Sequence, residues 1–526
     1  TGCVPHPRVR SPSLASAPVH SPSFSVAHSL IIQITMAPIP SRILGLAYIA
    51  LSATVVRGQS STTSTSACAS TIAPKNAAPS VASGWRAEVV TNGLEGPRGI
   101  IFDSEGGLLV VEGKKGISRI SFGGEGCARG QSDRELIIED DSLNHGLELS
   151  EDGRTLYASS SRAVYAWDYD AGQGRNTSGP RKIIGDFGST AGHPSRTLLL
   201  SRKVPGMILV SRGSLDNIDY TTQNKSTGVS TIKAFNLTNL TDSSTYSFPD
   251  DGLILGWGLR NSVGVAEEPV TGAIYSVENS VDYFERSGES IHQNNPGEEM
   301  NFHGYLNGTQ TDEQGGNYGY PTCFAAWNIE EIPDNEGIQV GTQIAIGEQN
   351  STLNDTFCRE DRIPPRLTFQ AHQAPLDIKF NPNGTAAWVT FHGSWNRDDP
   401  IGYKLSYIAF DGAGSPVANA TSNSSTVDVF SNPDLSKCPD ECVRPVGLAW
   451  DADGRLFMSS DATGEIWAVT REDGGSAEDA SPTSGLPPSG TGSAPAGTSS
   501  PGAGSVNKAS VGVLAVVWAA ILAAVI

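Results

Sequence analysis

Arginine and histidine side chains recur at one position of a repeated sequence unit, next to the start of its first apolar strand. The six positions hold Arg98, Asn144 with His145, His193 with Arg196, Arg260 with Asn261, His372 and Arg444. Guanidinium groups bind carboxylates through paired hydrogen bonds, and imidazole exchanges protons near neutral pH. If the fold brings these groups together, they could bind a multiply charged anion beside a general base.

The unit that positions these residues is an apolar strand, a polar turn usually carrying Gly, and a second apolar strand. Asp-Gly, Glu-Gly and Asn-Gly pairs supply the positive φ that tight hairpin turns need. A single hairpin is marginal in water, so six similar hairpins indicate blades packed around an axis. The copies begin at Pro97, Asn144, Ser195, Arg260, Ala374 and Arg444. We therefore predict an all-β, six-bladed β-propeller.

Two alternatives accompany this interpretation. A β-sandwich would explain the strands but not why one pattern recurs. Each arginine could also pair with a local Asp or Glu and simply tie the blades together, which is the better explanation for any single arginine. For the whole set it is less attractive, because equivalent positions in a propeller converge around the axis. Cations concentrated there repel one another unless an anion lies among them.

Composition supports a turn-rich, acidic protein. The 526-residue chain contains 58 Gly and 32 Pro and carries a net charge of -20. Abundant Gly and Pro are typical of β structure with many turns. The acidity argues against nucleic acid or an anionic lipid surface as a partner.

Four segments of the core carry a family resemblance. They are GLRNSVG (258–264), YSVEN (275–279), NPGEEMNF (295–302) and GGNYGYP (315–321). In this order they resemble the soluble quinoprotein glucose/sorbosone dehydrogenase family, whose fungal branch includes pyranose dehydrogenases. The resemblance implies a six-bladed propeller that binds pyrroloquinoline quinone (PQQ), a tricarboxylate, together with Ca²⁺.

The resemblance also implies catalytic roles. In the family a histidine takes the proton of the sugar C1 hydroxyl while hydride passes to the quinone, and the stretch GHPSRTLLL…VSRGSLDN points to His193 rather than His145. The family's acid that orients this ring is replaced, with Ser214 or Asp216 near its place. The remaining implied catalytic residues are Arg260, Asn261 and Glu298.

Cofactor and metal ligands follow from the same resemblance and from the repeat position. The predicted cofactor-binding residues are Arg98, Arg260, Asn261, His372, His392, Trp395, Arg397 and Arg444. Trp395 could stack on the flat quinone, although a buried blade tryptophan is the commoner explanation. The predicted calcium ligands are Glu278, Asn279 and Ser280. Oxygen donors of this kind suit Ca²⁺ better than a transition metal.

The chain ends predict secretion and anchoring. We interpret 1–35 as an upstream segment, 36–58 as a signal peptide and 59–82 as a Ser/Thr-rich linker before a catalytic propeller at 83–472. Residues 473–508 are rich in Ser, Gly and Pro and are predicted to be disordered. The apolar tail 509–526 after a polar spacer is typical of a GPI-attachment signal, with a plain tail anchor as the alternative.

Cysteines and sequons agree with an extracellular location. Discounting Cys3, six cysteines remain, and proximity favours the pairs Cys323–Cys358 and Cys438–Cys442, leaving Cys68 and Cys127. N-glycosylation sequons occur at Asn176, Asn224, Asn236, Asn239, Asn307, Asn350, Asn354, Asn383, Asn419 and Asn423.

These observations predict a secreted, GPI-anchored, PQQ- and Ca²⁺-dependent dehydrogenase that oxidises an aldose or ketoaldose and passes electrons to an external acceptor. One alternative is a calcium-dependent, lactonase-like propeller hydrolase, in which carboxylates and Asn would surround one central ion. The other is a non-catalytic surface propeller that binds glycans or proteins, with exposed aromatic residues on one face.

Overall fold

A computed structural model of the chain describes residues 72–123 and 131–479. The described chain is mostly antiparallel β-structure with one α-helix, Asp355–Asp361. Six sheets of at least four strands contain almost all the strands. The first strands of consecutive sheets contact one another around a ring, which makes each sheet a propeller blade. The predicted six-bladed β-propeller is confirmed, and the sandwich alternative is wrong.

Each blade begins with the pair of strands that the repeated unit predicted. We number the blades 1 to 6 in the chain order of their inner strands. Blade 1 contains Pro97–Phe102, Leu108–Glu112, Gly116–Phe122 and Gln131–Glu139. Blade 2 contains Leu143–Leu149, Thr155–Ser160, Val164–Asp170 and Arg181–Gly185, with Arg175–Asn176 and Tyr246–Ser247 at its edges. Blade 3 contains Leu198–Leu200, Met207–Arg212, Thr231–Asn236 and Leu253–Trp257, extended by Gly316–Asn317.

Blades 4 to 6 complete the ring, and the last is closed by a strand from the start of the described chain. Blade 4 contains Ser262–Glu267, Ala273–Glu278, Glu298–Tyr305 and Leu367–Phe369. Blade 5 contains Pro375–Phe380, Ala386–Phe391, Lys404–Ala409 and Val427–Ser431, extended by Ser80–Val81. Blade 6 contains Pro445–Trp450, Leu456–Ser460, Glu465–Arg471 and Trp85–Thr91.

The core lies between the blades. Six clusters of buried apolar side chains each join two neighbouring blades, including the pair formed by blades 6 and 1. Between blades 5 and 6 the rings of Trp85 and Trp388 meet edge to face, with centroids 5.2 Å apart. Since each hairpin buries its apolar residues only against its neighbours, closure of the ring removes the last exposed blade face from water.

The long interval between the fourth and fifth units forms an insertion with its own small core. It contains the paired strands Glu285–Arg286 and Glu289–Ser290, the pair Cys323–Ala325 and Gln343–Ala345, and the helix. Its apolar cluster includes Val281, Phe284 and Phe324. The first part of the insertion follows directly on the second strand of blade 4 and therefore adjoins the residues at the end of that strand.

The two disulfides predicted from proximity are confirmed as Cys323–Cys358 and Cys438–Cys442. The first joins the insertion's second strand pair to the helix. Cys68, Cys127, the predicted signal peptide and the predicted GPI signal lie outside the described residues. In the part of the chain that the structure describes, no helix combines the length and apolar composition needed to cross a membrane.

Candidate active site

A cavity of about 210 Å³ is lined by residues from blades 3 to 6. One part of its wall comes from the residues just before the inner strands of these blades, and the other part from loops of blades 4 and 5. Its lining contains both signs of charge and three histidines. The fold thus brings together residues from sequence positions as far apart as 193 and 444. The predicted site residues that line the cavity are His193, Arg260, Asn261, Asn279, Ser280, Glu298, His372, His392, Trp395 and Arg444.

Two predicted cofactor-binding arginines lie outside this lining. Arg98 forms an ion pair with Asp461 at 2.8 Å. Arg397 donates to the Asp399 carbonyl and to the Asn294 side chain. The alternative in which an acid neutralises an arginine and ties blades together therefore describes Arg98, whose charge is taken up by a carboxylate of blade 6.

One predicted metal ligand is also absent from the lining. Glu278 is buried, and its two carboxylate oxygens accept hydrogen bonds from the Arg260 backbone and the Ser262 hydroxyl. Burial and the nearby Glu299 raise the pKa of Glu278 well above its ordinary value. Glu278 therefore acts on the cavity indirectly, by holding the Arg260 backbone.

His193 is held in one tautomer by the segment that follows the second strand of blade 3. Its Nδ1 lies 3.1 Å from the Ser214 carbonyl and 3.0 Å from the Ser214 hydroxyl, which itself donates to the Asp216 carbonyl. A carbonyl only accepts, so the Nδ1 atom must carry the hydrogen. The Nε2 atom then has a free lone pair and no hydrogen-bond partner among the described residues. Ser214, rather than an acid, is the orienting group.

Burial keeps this ring neutral. Burial and the nearby Arg260 lower the pKa of His193 to about 4, although the Ser214 carbonyl opposes the shift. Arg196 lowers the pKa further and Asp216 raises it. An imidazole with this pKa is unprotonated across the neutral range, which is the state that a general base requires.

Gly213 permits the close approach of His193 and the Arg260-Asn261 pair. A Cβ atom at this glycine would lie 2.7 Å from the His193 Cβ and 2.8 Å from the Asn261 Oδ1. It would also lie 3.0 Å from the Arg260 carbonyl. Any side chain here would therefore push two walls of the cavity apart.

The other two histidines of the lining are committed to neighbours. His372 donates from Nε2 to the His292 carbonyl, and its Nδ1 faces a side-chain amide at 3.3 Å. His392 Nε2 lies 2.8 Å from Asp461, so this ring is bound to an acid. Burial lowers the pKa of both rings. His193 differs from both, because its Nε2 has no hydrogen-bond partner among the described residues.

Arg260 is fixed by a dense set of partners. Its Nη2 donates to Asp282 at 2.7 Å and to the Asn217 side chain at 2.9 Å, while its Nε donates to the Asn217 carbonyl. The side chain is only 4% exposed, against 23% for Asp282. Blade 4 thus presents a rigid guanidinium whose charge is partly balanced by one carboxylate.

Arg444 has a different environment. Its Nε and Nη2 donate to the carbonyls of His392 and Gly393, and its guanidinium lies 5.6 Å from the Tyr403 ring centroid. It forms no ion pair with any carboxylate among residues 72–123 and 131–479. Burial lowers its pKa. A half-buried cation without an ion-paired carboxylate favours an anionic ligand in the cavity.

Glu298 connects two walls of the cavity by accepting a backbone hydrogen bond from each. Its Oε2 accepts from the Ser280 backbone at 2.6 Å and its Oε1 from the Ala374 backbone at 3.3 Å. Burial raises its pKa to about 7 despite these two bonds. Nearby, His372 and Ala374 have φ values of 65° and 53°, a conformation that non-glycine residues rarely adopt. Such strain is common where a chain positions functional groups.

Oxygen donors for a cation are less complete than the sequence predicted. Asn279 and Ser280 line the cavity, but both oxygens of Glu278 are engaged. Among the residues that the structure describes, no group of three or more His, Cys, Asp and Glu side chains is arranged to hold a metal ion. A cation here would depend on backbone and amide oxygens as well as on carboxylates.

Sequence reasoning missed three polar residues that organise the site. Asp282 lines the cavity and pairs with Arg260. The Asn217 side-chain oxygen accepts from both the Arg260 guanidinium and the Asp282 backbone. Asp461 bridges an arginine and a histidine of two other blades. Only Asn217 stood in a quoted motif, VSRGSLDN. Asp282 and Asp461 lie in loops after second strands, where no spacing rule pointed to them.

Three similarities to known proteins bear on this site. A family model described as TrAA12-like matches residues 79–472. A Hypocrea jecorina (strain QM6a) protein described as a pyrroloquinoline quinone-dependent sugar dehydrogenase is 44% identical over 397 residues, which cover 74% of this chain and 89% of that protein. A Coprinopsis cinerea pyrroloquinoline quinone-dependent pyranose dehydrogenase is 34% identical over 409 residues, which cover 75% of this chain and 55% of that protein.

Solved structures agree. The calcium structure of the Trichoderma reesei family AA12 enzyme has a TM-score of 0.74 at 42% identity and covers 77% of this chain and 100% of that chain. The holo form of the Coprinopsis cinerea pyranose dehydrogenase PQQ domain has a TM-score of 0.71 at 34% identity, covering 77% of this chain and 99% of that chain. The likeness therefore extends over the whole propeller.

Proposed function

The chain belongs to the TrAA12-like family. From this premise we propose that it is a PQQ-dependent sugar dehydrogenase whose active site is the cavity lined by blades 3 to 6. The substrate class is an aldose or ketoaldose of the glucose, sorbosone or pyranose type. The resemblance of four core segments to quinoprotein dehydrogenases is confirmed by the described relatives.

The donor set of the cavity fits a planar tricarboxylate. Arg444 offers a guanidinium bonded only to neutral carbonyls, and Arg260 on another blade offers a second guanidinium, which also pairs with Asp282. Carboxylates bind most strongly to such charge-assisted donors. Arg98 and Arg397 lie outside the lining, and the charge of Arg98 is balanced by Asp461. The residues that would hold the cofactor are Arg260, Asn261, His372, His392, Trp395 and Arg444.

When bound, PQQ supplies the acceptor for the hydride that leaves the sugar carbon. His193 removes the hydroxyl proton with its free Nε2, so the C–OH group becomes a carbonyl and loses two electrons and two hydrogens in all. The Ser214 carbonyl keeps the other proton on Nδ1 and fixes the plane of the ring. Arg260 and Asn261 place positive charge and an amide beside the base, where they stabilise negative charge that grows during the reaction.

The single observation that carries this proposal is the free, unprotonated Nε2 of His193 in a wall shared with Arg260. We expect His193→Ala to retain PQQ but to lower kcat about 100- to 10,000-fold, the range typical of a removed general base. Quinone absorbance would measure retention, and sugar-dependent reduction of a dye would measure turnover.

The matched control is His292→Ala. The ring of His292 lies against the Tyr283 ring, 5.5 Å between centroids, and does not line the cavity. Its variant should keep both cofactor and rate. A His193→Ala protein that turns over sugar at the original rate would remove the base assignment, and a parent protein that never acquires quinone absorbance would remove the proposed cofactor.

Calcium is proposed on the resemblance, with Asn279 and Ser280 as its protein ligands in place of Glu278. Both residues line the cavity and carry the oxygen donors that Ca²⁺ prefers. Adding EDTA to the PQQ-loaded protein, followed by Ca²⁺ or Mg²⁺, tests this assignment. Selective recovery of activity with Ca²⁺ is the expected result, and full activity in EDTA would contradict it.

We also propose an extracellular, GPI-anchored glycoprotein that passes electrons to an external acceptor. This part of the proposal is supported by the predicted signal peptide at 36–58 and anchor signal at 509–526. Each asparagine of the ten sequons is at least partly exposed. Release from cell membranes by phosphatidylinositol-specific phospholipase C would test the anchor, and a shift in mobility after glycosidase treatment would test the glycans.

The lactonase-like alternative has less support in the described chain. It needs carboxylates around a central ion, whereas the described residues hold no such group and two arginines face the cavity. The glycan-binding alternative has one feature in its favour, the exposed rings of Tyr283 and Trp395. Because Trp395 also lines the cavity, those rings are equally suited to guide a sugar substrate to His193.

A further inference from the structure

Two buried arginines outside the active-site lining lie opposite each other in blade 3, next to the segment that carries His193. Arg196 precedes the inner strand of blade 3 and is 1% exposed. Arg212 ends the second strand of the same blade and is 4% exposed. Arginine is among the residues most rarely buried in full unless it is paired. Two such side chains in one place therefore require an explanation.

Their protein partners are neutral. Arg196 donates from Nη1 to two backbone carbonyls, one of them that of His193, and its guanidinium lies 5.2 Å from the Phe187 ring centroid. Arg212 donates from Nη1 to the Thr227 carbonyl at 3.3 Å. In each arginine the buried Nε–H has no hydrogen-bond partner in the structure. Two strong donors are thus left unsatisfied in one buried region.

Neither arginine forms an ion pair with a carboxylate of the described residues. The acid that acts on Arg212 is Asp219, but its carboxylate accepts from the Leu215 and Thr221 backbones and so caps the following 3₁₀ turn. Burial and the proximity of Arg212 lower the pKa of Arg196 to about 9, and burial lowers the pKa of Arg212 to about 10. The two guanidinium groups repel each other in a region of low dielectric.

We propose that Arg196 and Arg212 form a binding site for one small monovalent anion of the halide class. The anion would accept the two free Nε–H groups and neutralise the repulsion between the guanidinium groups. Because both side chains are almost wholly buried, the ligand must be small. A flat tricarboxylate cannot be the occupant, so this site is separate from the proposed cofactor cavity.

The site also has a direct link to the base. Arg196 donates to the His193 carbonyl at 2.9 Å and is one of the charges that keep the His193 ring neutral. An anion bound to Arg196 would offset the positive charge by which Arg196 lowers the pKa of His193, while Arg260 would still lower it. The binding site itself does not rest on the proposed enzymatic function.

Crystals of the cofactor-free protein soaked in bromide test the site without any assay of activity. We expect an anomalous peak within hydrogen-bond distance of the Nε atoms of both Arg196 and Arg212. A second readout is the melting temperature in sodium chloride or bromide against sodium methanesulfonate at matched ionic strength. Because a ligand that binds only the folded state stabilises it, the halides should raise the melting temperature in a saturable way.

Arg212→Met is the diagnostic variant, and Arg202→Met is its control. Arg202 is half exposed and faces Glu148, so its loss should leave the halide response intact. Arg212→Met should abolish the saturable response and the bromide peak. The proposal is overturned if the unmodified protein shows neither a peak between the two arginines nor a saturable halide effect. That result stays decisive even if Arg212→Met does not fold.

Discussion

Blades 4 and 6 each place an arginine before the inner strand and an acid in the loop after the second strand, but they use the acid differently. In blade 4, Asp282 pairs with Arg260 of its own blade. In blade 6, Asp461 reaches an arginine of blade 1 and a histidine of blade 5. Arg444 is consequently left with carbonyl partners only. A repeat fixes where a cation lies, whereas the loops decide whether its charge is free to bind a ligand.

The largest expected effect comes from removing the blade 4 arginine. Arg260→Ala should weaken PQQ binding about 150- to 25,000-fold, because two charge-assisted hydrogen bonds of about 1.5–3 kcal/mol each, about 3–6 kcal/mol together, are lost. It would also leave the Asp282 carboxylate uncompensated and facing the anionic cofactor. Titration of the apo-protein with PQQ, followed by quinone absorbance, measures the change.

The control for this titration is Arg397→Ala, since Arg397 lies outside the cavity lining and bonds to Asp399 and Asn294. Its affinity for PQQ should change less than about threefold, which corresponds to under about 0.7 kcal/mol. A reversed ranking of the two variants would mean that the cofactor lies elsewhere.

Arg444→Met should have the next largest effect, a loss of about 100-fold in PQQ affinity. Unlike the blade 4 variant, it leaves only carbonyl groups behind, so no uncompensated charge adds to the loss. The melting temperature of the apo-protein should stay within about 2 °C of the parent, a shift that corresponds to no more than about 2 kcal/mol for a domain of about 400 residues. Unchanged affinity would show that the free guanidinium does not serve the cofactor.

A gain of up to about tenfold in PQQ affinity is expected when the blade 4 acid loses its charge. In Asp282→Asn the amide oxygen can still accept from Arg260, and Asn217 continues to hold the same Nη2 atom. The cavity then becomes more positive, so PQQ should bind more tightly, and more so at low salt. Weaker binding at low salt would show that Asp282 matters for the position of Arg260 and not for its charge.

Much of this architecture could be predicted from the sequence, because a hairpin is a local pattern. All six copies fall on the first two strands of a blade, and the convergence of His193, Arg260, His372 and Arg444 follows from propeller symmetry. The third and fourth strands carried no comparable repeat. In blade 4 an insertion lies partly before the third strand and partly between the third and fourth strands, and its strands depend on its own core rather than on a repeat.

The partners of the site residues could not be predicted in the same way. Ser214 orients His193 through its backbone carbonyl, and a carbonyl leaves no signature in the residue type. Asp461 holds groups from two other blades, 363 and 69 positions away in sequence. The motif predicted Glu278 as a metal ligand, yet its carboxylate is turned to the Arg260 backbone. Side-chain direction is decided by packing, which the motif does not encode.

The smallest effect concerns stability and the acid of blade 6. Burial alone would raise the pKa of Asp461, but His392 and Arg98 together lower it well below its usual range. A carboxylate with a lowered pKa in the folded state stabilises the protein at pH values above its unfolded pKa, about 3.9, and loses that contribution as the pH falls further. Asp461→Asn should therefore cost about 1–2 kcal/mol in the free energy of unfolding at pH 7.

Urea denaturation of the apo-protein from pH 7 down to pH 3 measures this difference. The free energy of unfolding of the parent minus that of Asp461→Asn should stay constant from about pH 7 to pH 5 and shrink below about pH 4. Asp282→Asn is the matched comparison, since Asp282 pairs with one arginine and not with two groups from other blades. If both substitutions lowered the free energy of unfolding equally, the bridging by Asp461 would contribute nothing beyond an ordinary ion pair. Blades 4 and 6 would then differ only in how their arginines bind a ligand.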